Sequence, residues 1–464
     1  MTECNQSSFE FAPHFALRVV TDFEGGTLSS DGGCLLLRRT DRRIGLLKRL
    51  SGCFTDHRRQ DRIEHPVETL VAQRVYGLAL GYEDLNDHDQ LRSDPLLAVL
   101  AGQRDCTGKQ RKRARDQGHA LAGKSTLNRL ERTAEKGAAK DRYKKISYSA
   151  AAIDELLVSI FQEAHPRPPK RIILDLDATD SPLHGRQEER FFHGYYGHYC
   201  YLPLYIFSGE HLLGARLRPS NIDAAAGSVE EIERIVTQIR QRWPKVGITL
   251  RADSGFCRDE LMSWCENNDV DYVFGLARND RLRELIEPQI EEAAAEHART
   301  GEAARVFTEF RYRTRTSWHR ERRVVAKAEQ LEGKENPRYV VTSLSSEQWP
   351  ARQLYEKLYC ARSDMENRIK EQLSLFSERL STATMSANQL RLYLSSMAYV
   401  LLQALRRLGL KGTEMARAQA GTIRLRLLKI GAQVRISVRR VCISLASGYP
   451  YQRLFGLVWA NLRC

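Results

Sequence analysis

Arg171-Ile172-Ile173-Leu174-Asp175-Leu176-Asp177-Ala178-Thr179-Asp180 runs an apolar segment straight into a group of acids. A short apolar run without alternation is the pattern of a strand buried on both faces, and its acids then fall at the strand end. Working outward, residues 201–208 and 212–218 read as two antiparallel strands joined at Gly209-Glu210. Residues 228–242 carry apolar side chains at helical spacing, 247–252 form another strand, 259–267 a helix and 271–276 a further strand. Three strands, a helix, a strand, a helix and a strand make a mixed α/β sheet.

That order is the arrangement found in the RNase H fold, and it gives the acids a meaning. Asp177 follows one strand, Asp253 ends the strand 247–252 in Arg-Ala-Asp-Ser-Gly-Phe, and Glu366 lies on a helix expected from about residue 351. Two aspartates at strand ends and a glutamate on a later helix can converge at one sheet edge. Hard oxygen ligands there suit Mg²⁺ or Mn²⁺, and two such ions would activate an attacking oxygen and stabilise a leaving one. Asp175 shares a sheet face with Asp177 at period two, so either can be the first ligand, with Asp177 preferred. Each acid alone is an ordinary surface charge or cap; the set at those three places is not. Tyr359, Arg362 and Glu366 follow at i, i+3 and i+7, which puts them along one helical face, where Arg362 can hold a phosphate bidentately.

Charge points to the same partner. The chain has 464 residues and a formal net charge of +14, and its length implies two to four structural units. Residues 101–150 hold 14 Lys/Arg against 5 Asp/Glu, and residues 401–464 hold 12 against 1. The remainder is therefore acidic on balance. One basic run is ordinarily a solvated face, but two blocks that hold all the excess charge suggest nucleic acid. Arg111, Lys112, Arg113 and Arg115 form a basic loop in the first block and are candidate DNA contacts.

Other classes are excluded. The ten cysteines contain no C-x-x-C pair, as expected of reduced thiols. His193, His198 and Cys200 cluster, but their spacing fits no standard zinc finger, and the Tyr and Phe around them suggest strands and loops. Neither a signal peptide nor a membrane span is expected. The most apolar stretch, residues 390–405, is interrupted by Arg391, Ser395, Ser396 and Gln403 and reads as a core helix.

The expected organisation is a mainly helical, nucleic-acid-binding region over residues 1–150 and a first core part over 168–280. A helix and β insertion over 281–337, a second core part with the Glu366 helix over 338–376, and a basic helical C-terminal region over 377–464 complete it. The fold class expected is thus α/β, an RNase H-like core split by a β insertion and flanked by helical regions.

The motifs carry a resemblance. Residues 81–89 (Gly-Tyr-Glu-Asp-Leu-Asn-Asp-His-Asp), 174–180, 251–256 (Arg-Ala-Asp-Ser-Gly-Phe) and 365–371 (Met-Glu-Asn-Arg-Ile-Lys-Glu) resemble the bacterial DDE insertion-sequence transposases with a Tyr-x2-Arg-x3-Glu-x6-Lys motif, and among them the insertion sequence 1380 family. The Lys expected seven positions after Glu366 is Leu373, leaving Lys370 as its stand-in. The resemblance implies an enzyme of DNA transposition with Asp177, Asp253 and Glu366 as catalytic metal ligands for two Mg²⁺ (or Mn²⁺) ions. Its DNA contacts would include Tyr359, Arg362 and Lys370, its partners would be terminal inverted repeats and target DNA, and it would act as a homodimer on DNA in the bacterial nucleoid of the cytoplasm. It also implies that the β insertion touches the element end, where Trp318 either stacks on a displaced base or packs in a β core. An RNase H-like nuclease and an inactive DNA-binding derivative are the rival functions. The helical region and the Tyr-x2-Arg-x3-Glu segment argue against the first, and three intact acids against the second.

Overall fold

A computed structural model describes residues 8–132 and 145–463; part of the first basic block, 133–144, lies outside the described residues. The chain forms two compact units, one of residues 1–51, 58–130 and 401–464, the other of 52–57 and 131–400. No helix among the described residues is long and apolar enough to cross a membrane.

The second unit is built on one mixed sheet. Its strands are β1 (Arg171–Ala178), β2 (Leu204–Ser208), β3 (His211–Arg216), β4 (Gly247–Ala252), β5 (Val270–Leu276), β6 (Ala304–Tyr312), β7 (Arg322–Leu331), β8 (Lys334–Glu335) and β9 (Arg338–Thr342). Their order is β3-β2-β1-β4-β5-β9-β7-β6, with β8 on the edge of β7. β4 runs parallel to β1 and β5 parallel to β4, whereas β2, β3 and β9 pair antiparallel with their neighbours. The helices α1 (Ala150–Glu163), α2 (Ser228–Arg242) and α3 (Asp259–Asn267) supply cover. In α2, Ile232, Ile235, Val236 and Ile239 are buried at i, i+3, i+4 and i+7, while Glu230 and Glu231 open the helix and Arg240 and Arg242 close it, matching its dipole. These isoleucines pack with Leu174, Leu176, Ile248, Leu250 and Phe274 of the sheet. Val273, Val325 and Val340 instead pack against Leu354, Tyr355 and Leu358, so the central sheet is covered on both faces.

Two expectations change here. The strands expected as a β insertion do not interrupt the sheet: β9 hydrogen-bonds to β5 and carries β7 and β6 outward from it. Trp318 lies in the connection between β6 and β7, outside any strand.

In the first unit the helix Val67–Leu80 is buried at every residue but Glu68 and ends at Gly81, whose φ of 97° suits glycine. Residues 35–50 are two helices, Leu35–Ile44 and Leu46–Gly52, broken at Gly45 with φ 63°. The chain ends are interleaved: Arg39 and Arg43 donate to the carbonyls of Leu462 and Asn461. The basic C-terminal region is not all helical. Ala432–Ile436 pairs antiparallel with Val441–Leu445 and with Leu28–Ser29. Val434 and Ile436, then Val441, Ile443 and Leu445, alternate with polar residues at period two, which favours strands over helix. Residues 423–430, inside the region expected to be helical, begin at the end of the short helix Ala420–Ile423 and continue as a π-turn over Arg424–Leu428.

Candidate active site

The parallel pairing of β1 and β4 sets Asp175 opposite Arg251. Side chains repeat every two residues along a strand, so Asp177 and Asp253, each two positions further on, face the same side at the same sheet edge. Asp253 caps the turn that follows β4, its carboxylate accepting from the Gly255 amide at 2.8 Å. This accounts for the local motif. A Cβ on Gly255 would lie 3.0 Å from the Asp253 carboxylate and 3.3 Å from Ala224 Cβ, and Phe256 is buried beneath.

The third acid arrives from the segment that covers this face. Residues 351–374 do not form one regular helix: Leu354–Tyr359 is a π-turn, Cys360–Arg362 a 3-10 turn, and α4 (Ser363–Ser374) carries Glu366. The change of pitch replaces the single helical face expected for Tyr359, Arg362 and Glu366. Arg362 nevertheless reaches both partners, with Nη1 3.3 Å from Asp177 and Nη2 3.7 Å from Glu366. Tyr359 tucks its hydroxyl against β5, where a Cβ at Gly275 would come within 2.5 Å of it and 3.0 Å of the Ser254 amide nitrogen. Gly275 thus makes room for Tyr359 beside Asp253. Lys370 is exposed one turn beyond Glu366.

Burial raises both aspartates of β1, and their partners separate them. Asp177 is pushed up to about 6 by burial, with the charge of Asp253 adding to the rise and Arg362 opposing it. Burial works against the charge of Arg362, but Asp177 and Asp253 outweigh it and hold the guanidinium above its usual range. Tyr359 is raised by burial, Arg362 opposing and Asp253 adding. Asp175 is committed elsewhere. Both its oxygens bind Arg251, at 2.5 and 2.8 Å, and Arg251 also donates to the Leu358 carbonyl at 2.5 Å. Arg251 and Gly275 did not stand out in the sequence; pairing of an Asp and an Arg on adjacent strands was the only available sign.

Among the described residues, no three His, Cys, Asp or Glu side chains already stand together as a metal-ligand set. Arg362, a cation, sits between Asp177 and Glu366 instead. Asp177 and Asp253 supply hard oxygens and repel one another, which fits a divalent ion at that edge.

The remaining expected contacts divide. Trp318 is 5% exposed, edge-on to Tyr312 at 5.8 Å, with the Arg322 guanidinium 5.5 Å from its ring. It packs in the core and presents no face to a base. In the other unit, Arg111 is a staple, donating to the carbonyls of His119, Glu64 and Ala120. Lys112 donates to the Asp61 carbonyl. Arg113 and Arg115 are exposed and line a cavity of about 630 Å³ together with Arg58, Arg62, Arg92 and Arg129. His65, at its wall, is held down to about 3 by burial and by the charges of Arg111 and Arg58, so it stays neutral.

Among known proteins, no curated protein matches the chain. A solved structure, the piggyBac transposase synaptic complex with hairpin DNA, is similar with a TM-score of 0.39 and 10% identity, over 94% of this chain and 81% of that one. The family model of the transposase DDE domain, group 1, matches residues 11–464, nearly the whole chain, and the chain therefore belongs to the DDE transposases.

Proposed function

We propose that this transposase serves a bacterial insertion sequence of the 1380 type, binding its terminal inverted repeats and cutting and rejoining DNA at Asp177, Asp253 and Glu366. The observation that carries the reading is the placement of Asp177 and Asp253 at matching ends of β1 and β4, with Arg362 spanning from Asp177 to Glu366. The order β3-β2-β1-β4-β5, with only β1, β4 and β5 mutually parallel, supports an RNase H-like core.

DDE transposases generally use divalent metals, and Asp177, Asp253 and Glu366 are the residues that would hold two Mg²⁺ or Mn²⁺ ions. Bound there, the ions supply activation of the attacking oxygen and stabilisation of the leaving one. The chain's own residues do the positioning. Arg362 exchanges its carboxylate partners for phosphate oxygens, which its planar fork matches bidentately. Tyr359 and Lys370 flank the strand on either side of it. Hydrolysis of a phosphodiester at the element end leaves a 3′-hydroxyl, which then attacks a second phosphodiester, in target DNA or across the duplex. In the first step a water oxygen displaces the 3′-oxygen and leaves a 5′-phosphate; in the second the freed 3′-oxygen displaces another 3′-oxygen, which departs as a hydroxyl, so no covalent protein–DNA bond is needed. Arg113 and Arg115, at the cavity of the other unit, contribute phosphate contacts that position the duplex.

We place two subunits on two DNA ends, because both ends must be cut together. Incubating the protein with a labelled element end and Mg²⁺ and resolving the products on a denaturing gel tests the reading; no strand cleavage would overturn it. Mixing Glu366→Gln protein with a variant defective only in end binding tests the dimer. Cleavage restored by the mixture supports action in trans, and none at any ratio removes it.

A further inference from the structure

The segment after the first aspartate holds aromatic residues that the catalytic reading leaves unused. Phe191–His193 and His198–Tyr201 form a short antiparallel hairpin, and the latter strand also pairs with Ser181–Pro182, directly after Asp180. Phe192 stands opposite Tyr199 in the register, their rings 5.6 Å apart and edge to face. Both are unusually exposed for aromatics, 56% and 43%, and Tyr195 at the tip is 87% exposed. The Arg190 guanidinium lies 4.0 Å from the Tyr199 ring centre. The hairpin is nevertheless anchored. Ser220 Oγ donates to the Phe191 carbonyl at 3.0 Å, the Tyr201 hydroxyl donates to the Glu188 carbonyl at 2.5 Å, and His198 Nε2 lies 2.8 Å from Asp180.

It stands beside the strand end that carries Asp177: its second strand pairs with Ser181–Pro182, and His198 reaches Asp180, three residues past that aspartate. Exposed rings cost stability by contacting water, and a cluster of them on an anchored hairpin marks a binding surface. Flat rings beside a guanidinium suit nucleobases, whose faces stack on aromatic side chains while Arg neutralises the adjoining phosphate.

We infer that the Phe191–Tyr201 hairpin is a stacking platform for unpaired bases of the DNA strand next to the scissile phosphate, with Tyr195, Phe192 and Tyr199 as the stacking rings and Arg190 on the backbone. The inference rests on the proposed action on DNA ends, and its test separates the two. A duplex element end bearing a three-nucleotide single-stranded extension with 2-aminopurine is bound by the full-length protein without divalent metal. Wild type quenches the fluorescence. Tyr195→Ala and Phe192→Ala lose the quench and bind the extended end about tenfold more weakly, while affinity for a blunt duplex holds. Tyr195→Trp restores the quench, which a merely structural role would not require. Equal quenching by the Ala variants, or none by a wild type that binds and cleaves the end, overturns the platform alone. A wild type that neither binds nor cleaves the end overturns the functional reading and the platform with it.

Discussion

Two carboxylate–arginine pairs stand two residues apart on the same face of the sheet, and they are built differently. Asp175 and Arg251 are closed: their side chains are 5% and 7% exposed, joined by two hydrogen bonds, with a third from Arg251 to a main-chain carbonyl. Asp177 and Arg362 are open: one contact of 3.3 Å, and an arginine shared with the half-exposed Glu366. The first pair ties β1, β4 and the covering segment together. The second leaves carboxylate oxygens and a guanidinium able to change partners, which is what a reacting site needs. The difference teaches that burial of an acid is not by itself a sign of function. What distinguishes Asp177 is a charge left incompletely answered.

The largest expected effect falls on chemistry at the open pair. Asp177→Asn, Asp253→Asn and Glu366→Gln each lower strand cleavage by about a thousandfold or more, since metal-borne charge stabilisation is worth several kcal/mol, and leave end binding near normal. Gel assays of cleavage and mobility-shift assays of binding measure both. Near-normal cleavage by any one variant takes that residue out of the site.

The next effect is on stability at the closed pair. Asp175→Ala leaves Arg251 buried without its partner, and the expected loss is about 3–5 kcal/mol, read as a lower denaturation midpoint. Asp177→Ala spares this, because Arg362 keeps Glu366 within reach. Equal losses from the two variants would erase the contrast.

A smaller effect has the opposite sign. The Asp177 carboxyl titrates at about 6 in the fold, above the ordinary 3.8. A raised acid contributes stability below its unfolded value and loses it as pH rises through the folded value, so ionised Asp177 costs stability at neutral pH. Metal-free Asp177→Asn is therefore more stable than wild type by about 3 kcal/mol at pH 8, a gain that falls below about 1 kcal/mol near pH 4. Thermal unfolding at the two pH values checks it; a gain at pH 4 as large as at pH 8 refutes the assignment.

The smallest effects are expected in the other unit. Arg113→Ala and Arg115→Ala each weaken end binding about equally for all DNA sequences and reduce the salt slope by about one. Arg111→Ala, a staple with three carbonyl partners, lowers the unfolding midpoint instead. A salt slope unchanged in the Arg113→Ala, Arg115→Ala double variant would assign the basic loop to solvent.

Much of this was legible from the chain because it depends on local pattern. The strands 171–178 and 247–252 and the helices 228–242 and 259–267 follow from period, which a sequence carries on its surface. The alternating strands 432–436 and 441–445 were equally local but hidden under a high density of arginine, which read as a basic helical tail. Trp318 was ambiguous for another reason: an aromatic in a loop packs or projects according to how the flanking strands pair, and Tyr312 and Arg322, close in sequence, are set around it by the register of β6 and β7.

The amino-acid sequence alone determined that three acids lie at two strand ends and on a later helix, that the chain carries basic blocks suited to a polyanion, and which family it resembles. Only the tertiary structure decided which acid of β1 is held closed and which open, because Arg251 and Arg362 are 76 and 185 residues away and meet their partners through strand register and the packing of a covering segment. It also decided that the β strands of 304–342 extend the sheet that carries Asp177 and that a cluster of exposed aromatics sits at 191–201. Periodicity says which side of an element is apolar; hydrogen-bonded register and close packing say which element it meets.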